Sequence, residues 1–282
     1  MPSRKTIKRR IASVTTTKQI VKAMNMVAAT KLQKTKRQFA AARPLFKASV
    51  RIMDAVSNCE LAGESVFFQQ RPVKTTAYVV ITGNRGYCGG YNSNVSALAL
   101  AHMDEGRNEE ILAIGTRGRD YFQRLEKNIR HCYAQLSEHT TYAEAQGVAE
   151  ALLSLYVSGE VDEVYVAHTQ FQSVLSHEPT LTRILPMGDG EDPKNKPDRL
   201  QYEPDAEAFL EVAVPAHISA FLYGAVLESG CCEQAARMVS MDGATKNATE
   251  IIENLTRVYN RTRQAHITQE ITEIIASVNI SK

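Results

Sequence analysis

Beyond Pro215 the chain contains no further proline, and the sixty-seven residues that follow read as one unbroken helix. From Ala244 the small and apolar residues fall alternately four and three apart, at Ala244, Ala248, Ile251, Leu255, Val258, Thr262 and Ala265. That alternation is a heptad seam. After a slip it resumes at Ile267, Ile271, Ile274 and Val278. At about 1.5 Å of rise per residue the helix is roughly 100 Å long, whereas a domain of about 150 residues is on the order of 40 Å across. A helix of that length cannot be buried in its own domain and needs a partner along its length.

The N-terminal end has the same character. Residues 3–57 read as one helix, with Ile7, Ile11, Val14, Val21, Ala28 and Leu32 on a four-three rhythm and Lys18 and Asn25 in the same register. Polar residues within a seam fix register rather than add stability. Ile20, Met24 and Val27 form a flanking stripe, Ser3 is placed to cap the start, and Pro44 is expected to bend or locally break the helix. Its implied length is roughly 80 Å. Charge is distributed unevenly: residues 1–53 hold fourteen Lys or Arg and no acid, Asp54 being the first, so the formal net charge of +2 leaves the remainder at −12. Such a split points to an acidic partner for the N-terminal arm.

Between the helices the period changes. Ala77–Thr82, Ile111–Gly115 and Val161–Thr169 are short, nearly continuous apolar runs that read as buried strands. Ile129–Ala134 reads as a further strand, and Phe171–Ile184 as a returning hairpin partner. Helical patterns at Asn92–Met103, Thr116–Lys127 and Tyr142–Ser158 alternate with them, which argues an α/β, doubly wound, mainly parallel sheet. Gly63 and Pro72 punctuate one loop, and the polar stretch from Pro186 to Pro197 forms another. Asp205 opens the C-terminal helix. The expected plan is a helix over residues 1–57, an inserted α/β domain over 58–204 and a helix over 205–282, with the two helices paired as a long antiparallel coiled coil and the termini meeting along it.

Several functions find no support. The five cysteines (Cys59, Cys88, Cys132, Cys231 and Cys232) form no CxxC pair and read as reduced thiols. No HExxH, GxSxG or other catalytic or metal-ligating spacing involves any of the seven histidines. The uncharged run Val212–Leu227 is too short and too polar to span a membrane, and no apolar signal sequence is visible. Ile81–Asn92 (ITGNRGYCGGYN) follows a strand, carries glycines at 83, 86, 89 and 90, and opens a helix, an arrangement that suits a phosphate. It lacks GxGxxG, the GxxxxGK[ST] pattern and any lysine, so tight backbone packing, with Arg85 as an interface group, is the better-supported reading. The acid-free helix suits nucleic acid by charge alone, but it has no interleaved aromatics before Phe39 and no recognition-helix motif.

Four separated stretches resemble one family: Ile7–Lys34 (IKRRIASVTTTKQIVKAMNMVAATKLQK), Ile81–Asn92, Ala235–Ile252 (AARMVSMDGATKNATEII) and Tyr259–Ile274 (YNRTRQAHITQEITEI) are similar to the gamma subunits of bacterial F-type ATP synthases. The resemblance implies a non-catalytic rotor shaft in a proton- or sodium-translocating complex. In that family a coiled coil stands within a ring of alpha and beta subunits, and an α/β foot rests with the epsilon subunit on the membrane c ring. Neither a cofactor nor nucleic acid is implied. Carried over residue by residue, it assigns Lys18, Lys22, Met24 and Lys31, and Arg237, Arg263, Gln264, Thr268 and Glu270, to the beta-subunit interface. Glu203 and Asp205 are assigned to the foot near the c ring. The glycine loop becomes foot architecture. The chain departs from the family at Cys231-Cys232, where small or polar residues are usual, and at Ala276–Lys282, which lacks the usual Gly/Ala-rich tip. The family's chloroplast-type cysteine-bearing insert is absent. With no presequence ahead of the first motif, the expected location is the cytoplasmic face of a bacterial plasma membrane.

Overall fold

A computed structural model describes residues 3–57, 65–103, 106–137, 140–188 and 206–280. The elements in chain order are α1 (Arg4–Ser57), β1 (Thr75–Ile81), α2 (Tyr91–His102), β2 (Asn108–Ile114), α3 (Thr116–Gln123), β3 (Ile129–Tyr133), α4 (Tyr142–Val157), β4 (Glu163–Phe171), β5 (His177–Leu185) and α5 (Ala206–Ile280). Packing divides the chain into two compact units, Ala29–Arg237 and Met1–Ala28 with Met238–Lys282. The sheet unit therefore takes in the inner parts of both long helices.

In the sheet unit the strand order is β3-β2-β1-β4-β5. All neighbours are parallel except β5, which returns antiparallel beside β4. β1 is central and buried along almost its whole length because both faces are covered. Its side chains alternate between the two faces: Ala77, Val79 and Ile81 join α4 and α5 in one core, whereas Tyr78 and Val80 join α2 and Phe122 of α3 in the other. α4 begins at a capping box in which Thr141 and Glu144 satisfy each other's backbone N–H groups. It then buries Ala145, Val148, Ala149, Leu152 and Tyr156 at helical spacing. α5 lays Leu210, Val214, Ile218 and Leu222 on the same core, one turn apart. Each fully buried Leu or Ile contributes roughly 2 kcal/mol. α5 is apolar enough in composition to cross a membrane, but 56% of its most apolar window is buried inside the chain, as suits a core helix.

β4 outruns its neighbour, and α5 completes it. Pairing of β1 with β4 ends at Val80 and Ala167. Farther along, the backbone N–H of Thr169 donates to Ser229 Oγ (3.1 Å) and that of Phe171 to a Glu228 carboxylate oxygen (2.9 Å), while Cys232 Sγ donates to the Thr169 carbonyl (3.5 Å). Side chains of a helix thus take the place of a missing strand.

α1 runs unbroken through Pro44. Its buried or half-buried positions continue the seam past Leu32 through Thr35, Phe39, Ala42, Phe46, Ser49 and Met53. Pro44 and Ala40, the residue whose carbonyl loses its donor, are both exposed, so solvent can take the orphaned acceptor and the helix need not break.

In the other unit the two helix ends pair antiparallel. Ile7 and Ala28 are buried, and Ile11, Val14, Lys18, Val21 and Asn25 are half-buried between them, as the spacing predicts. Asn25 Nδ2 donates to the Met238 carbonyl at 2.9 Å, so a polar seam residue pins the register. On α5 the seam differs from expectation. It runs Met241, Thr245, Ala248, Ile252, Leu255, Tyr259 and Thr262, while Ile251 and Val258 are 45% and 47% exposed. Both readings share Ala248, Leu255 and Thr262, and apolar residues flank both sides, so spacing alone does not choose between them. Beyond Thr262 every described side chain on α5 is exposed, including Ile267, Ile271, Ile274 and Ile275. An antiparallel pair anchored at Asn25 and Met238 brings Arg4 opposite about residue 259 at equal rise on both helices. Among the described residues α1 therefore offers no partner to Ile267 and Ile271 of the resumed stripe, and it does not extend to meet the end of α5.

Candidate functional site

The glycine loop is built against α5. Asn92 Oδ1 accepts from the Gly83 N–H at 2.8 Å. Asn84 bridges two elements, donating to the Ala134 carbonyl (2.8 Å) and accepting from the Thr116 N–H (2.9 Å). At Gly83 a Cβ would stand 2.7 Å from the Glu233 carboxyl group, so the loop's first glycine lies close against that side chain. Glu233 is buried and accepts a 2.6 Å hydrogen bond from Arg237 Nη2, which also donates to the Gly86 carbonyl at 3.3 Å. Cys88, Tyr91, Cys232 and Ala236 close an apolar cluster beside this pair. Burial, reinforced by the Glu233 charge, holds the Tyr91 phenol well above its ordinary pKa and raises the Cys88 thiol. A phosphate at this loop would meet a carboxylate already in place, so the cradle reading fails and the packing reading stands. Among the described residues no group of His, Cys, Asp and Glu side chains is arranged to hold a metal.

The residues assigned to a partner interface fall into three groups. On α1, Lys22 and Lys31 are exposed, while Lys18 and Met24 are half-buried along the seam. On the far part of α5, Arg263, Gln264, Thr268 and Glu270 are all exposed. There Thr268 Oγ1 donates to the Gln264 carbonyl at 3.0 Å and His266 Nδ1 lies 3.1 Å from a Glu270 oxygen. These contacts stay within the helix and leave its surface open. Arg237 differs from the rest: it is 8% exposed and engaged by Glu233 and the glycine loop. It is bound inward rather than open on the helix surface. Glu203 and Asp205 lie outside the described residues, as does Cys59.

Sequence reasoning missed Glu233, although the signal was present. Glu233 and Arg237 stand four apart on a helix, the spacing of an ion pair. It also missed Ser229 and Glu228 as partners of β4, which no local pattern announces.

Comparison with known proteins agrees with this architecture. A family model described as ATP synthase matches residues 3–279. The ATP synthase gamma chain of Alkaliphilus metalliredigens is 39% identical over 282 residues, covering 98% of both chains. The sodium ion specific gamma chain of Acetobacterium woodii is 38% identical, covering 95% of both. Among solved structures, the rotor of Euglena gracilis mitochondrial ATP synthase superposes with a TM-score of 0.72, covering 94% of this chain and 98% of that one at 19% identity. That likeness concerns the fold. With a family match along nearly the whole length and relatives of this identity and coverage, the chain belongs to the ATP synthase gamma chain family.

Proposed function

We propose that this chain is the central shaft of a rotary ATP synthase and performs no chemistry of its own. The observation that carries the reading is the lone stretch of α5 beyond Thr262, where four isoleucines lie exposed on a helix that has outrun its intramolecular partner. A contiguous apolar stripe of that kind requires cover from other chains. A ring of alpha and beta subunits encloses such a helix, and Arg263, Gln264, Thr268 and Glu270 would meet the beta subunits. Lys18, Lys22 and Lys31, with Met24 among them, supply a cationic face for an acidic beta-subunit surface, in keeping with an arm of fourteen bases and no acid. The sheet unit would rest with the epsilon subunit on the c ring, with Glu203 and Asp205 facing it. The chain would then be peripheral to the cytoplasmic face of a bacterial plasma membrane through the complex. Because the pair of helices is asymmetric, each rotational angle presents a different face to each beta subunit and biases its conformational equilibrium.

The test is reconstitution with alpha and beta subunits, followed by native mass and ATPase rate. A complex of three alpha, three beta and one copy of this chain, hydrolysing ATP only when it is present, is the expected result. A chain that remains separate, or whose presence leaves hydrolysis unchanged, would refute the proposal.

A further inference from the structure

Within the sheet unit, a cavity of about 770 Å³ opens between α1, strands β4 and β5, and α5. That volume falls in the range of small-molecule sites, roughly 300–1,000 Å³. Its body is aromatic. Phe46 of α1 and Phe221 of α5 meet with ring centroids 5.8 Å apart, and Phe39 and Phe171 complete the wall. Opposite Phe46 stands Gly224, where a Cβ would come within 3.8 Å of the phenyl ring, so the absence of a side chain keeps the space open. The α1 side is cationic: Lys36, Arg43 and Lys47 line the cavity, and all three are exposed. Lys36 Nζ stands 5.1 Å from the Phe171 ring centroid. The single acid in the lining, Glu228, accepts from the Phe171 N–H and stands near Arg43.

His168 forms part of the wall and is 4% exposed. Its Nε2 lies 3.5 Å from Thr182 Oγ1, while its Nδ1 has no hydrogen-bond partner among the described residues. Burial pushes its pKa down to about 4, so the ring is neutral at physiological pH. A buried imidazole nitrogen is ordinarily paired, and none of the contacts that hold β4 to α5 uses this one.

We infer that this cavity binds a small aromatic anion, its ring system lying against the aromatic wall of Phe39, Phe46, Phe171 and Phe221 and its acidic head at Lys36, Arg43 and Lys47. Two features meet here that a packing defect would not combine: a large aromatic enclosure and a one-sided cationic rim. Such a ligand would touch α1, the sheet and α5 together and fasten both long helices to the sheet. The inference stands on this cavity and does not depend on the shaft reading.

The experiment is fluorescence titration of the full chain with 8-anilinonaphthalene-1-sulfonate, beside N-phenyl-1-naphthylamine, which has the same rings without the sulfonate. One saturable site that prefers the sulfonate is expected. Gly224→Leu, which fills the space, should abolish it, and Lys36→Ala with Arg43→Ala should weaken it about fivefold or more, the loss of at least one exposed charge contact. The lysine and arginine are solvent-facing, so that pair tests the proposal even if Gly224→Leu lowers the melting temperature. Unchanged affinity in the Lys36/Arg43 variant, equal affinity for the uncharged probe, or wild-type binding by a folded Gly224→Leu protein would each overturn it.

Discussion

Arg237 Nη2 donates to Glu233 Oε1 at 2.6 Å, and this buried pair holds the glycine loop to α5. The carboxyl group of Glu233 faces Gly83 and the guanidinium of Arg237 reaches the Gly86 carbonyl, so two residues one helical turn apart clamp two points of a loop about 150 positions earlier in the chain. Removing one partner strands the other charge in a buried setting. Glu233→Ala is expected to destabilise the sheet unit by about 3–5 kcal/mol. The double variant Glu233→Ala with Arg237→Met should recover much of that loss. Urea denaturation of the three proteins checks it, and a Glu233→Ala midpoint equal to wild type would mean that the pair does not hold the loop.

Gly115 sits at φ +94°, and a Cβ there would fall 2.2 Å from the Thr82 carbonyl oxygen. The same segment carries Thr82 Oγ1, which accepts from the Gly118 N–H at 2.8 Å and ties the end of β1 to the start of α3. Gly115→Ala meets both backbone strain and a backbone clash, neither of which a side-chain rotation relieves. A loss of about 3 kcal/mol or more is expected in thermal or chemical unfolding, larger than for most single substitutions. A near-native melting temperature would show that this crossover can be redrawn.

His168 predicts a pH dependence with a definite sign. Its pKa is lowered from 6.5 to about 4 by burial, so between those values the unfolded chain binds a proton that the folded chain refuses. Stability is therefore fully present above about pH 6.5 and falls as the pH drops towards 4, by about 3 kcal/mol across the window. His168→Phe should remove this component, and the difference in urea midpoint between the variant and wild type should change steadily between pH 6.5 and 4. A difference that is flat with pH would mean that the ring is protonated in the folded state.

Much of this architecture is legible in the sequence, and the exceptions have physical causes. Apolar runs such as Tyr78–Ile81 mark buried strands because a parallel sheet covered on both faces needs no polar alternation. The α1 seam from Ile7 to Leu32 is legible because its period is undisturbed. Its continuation to Met53 was hidden by Pro44, whose cost depends on whether the orphaned carbonyl is buried or wet, and spacing does not reveal that. The α5 register was ambiguous because Ile251 and Ile252, like Val258 and Tyr259, offer apolar groups at both candidate positions. Only the position of α1 decides between them. The family resemblance singled out Arg237 but not Glu233, and the pair became visible only when the loop and helix were brought together.

The revised seam makes a paired prediction. Ile252 is half-buried in the unit formed by the two helix ends, whereas Ile251 is exposed beside it. Ile252→Asp places a carboxylate in the seam and should destabilise that unit by about 1–3 kcal/mol. Ile251→Asp should change the isolated chain by no more than about 0.5 kcal/mol. Circular dichroism melts of the two variants distinguish the registers, and the reverse order of effects would restore the seam expected from spacing.

The lone end of α5 separates folding from assembly. Ile267 and Ile271 are exposed beyond Thr262, where α1 no longer pairs, so Ile267→Asp with Ile271→Asp disturbs little packing among the described residues. The melting temperature of the isolated chain should therefore be unchanged. Within a sleeve of other subunits the same two carboxylates would lose solvent without gaining a partner, which is costly. Co-assembly with alpha and beta subunits should weaken, and the ATPase activity that depends on this chain should fall. Native mass and ATPase rate on the same preparation read both effects. If the double variant assembles and hydrolyses ATP as wild type does, the isoleucine stripe is not the surface that the ring encloses, and the cover it requires must come from elsewhere.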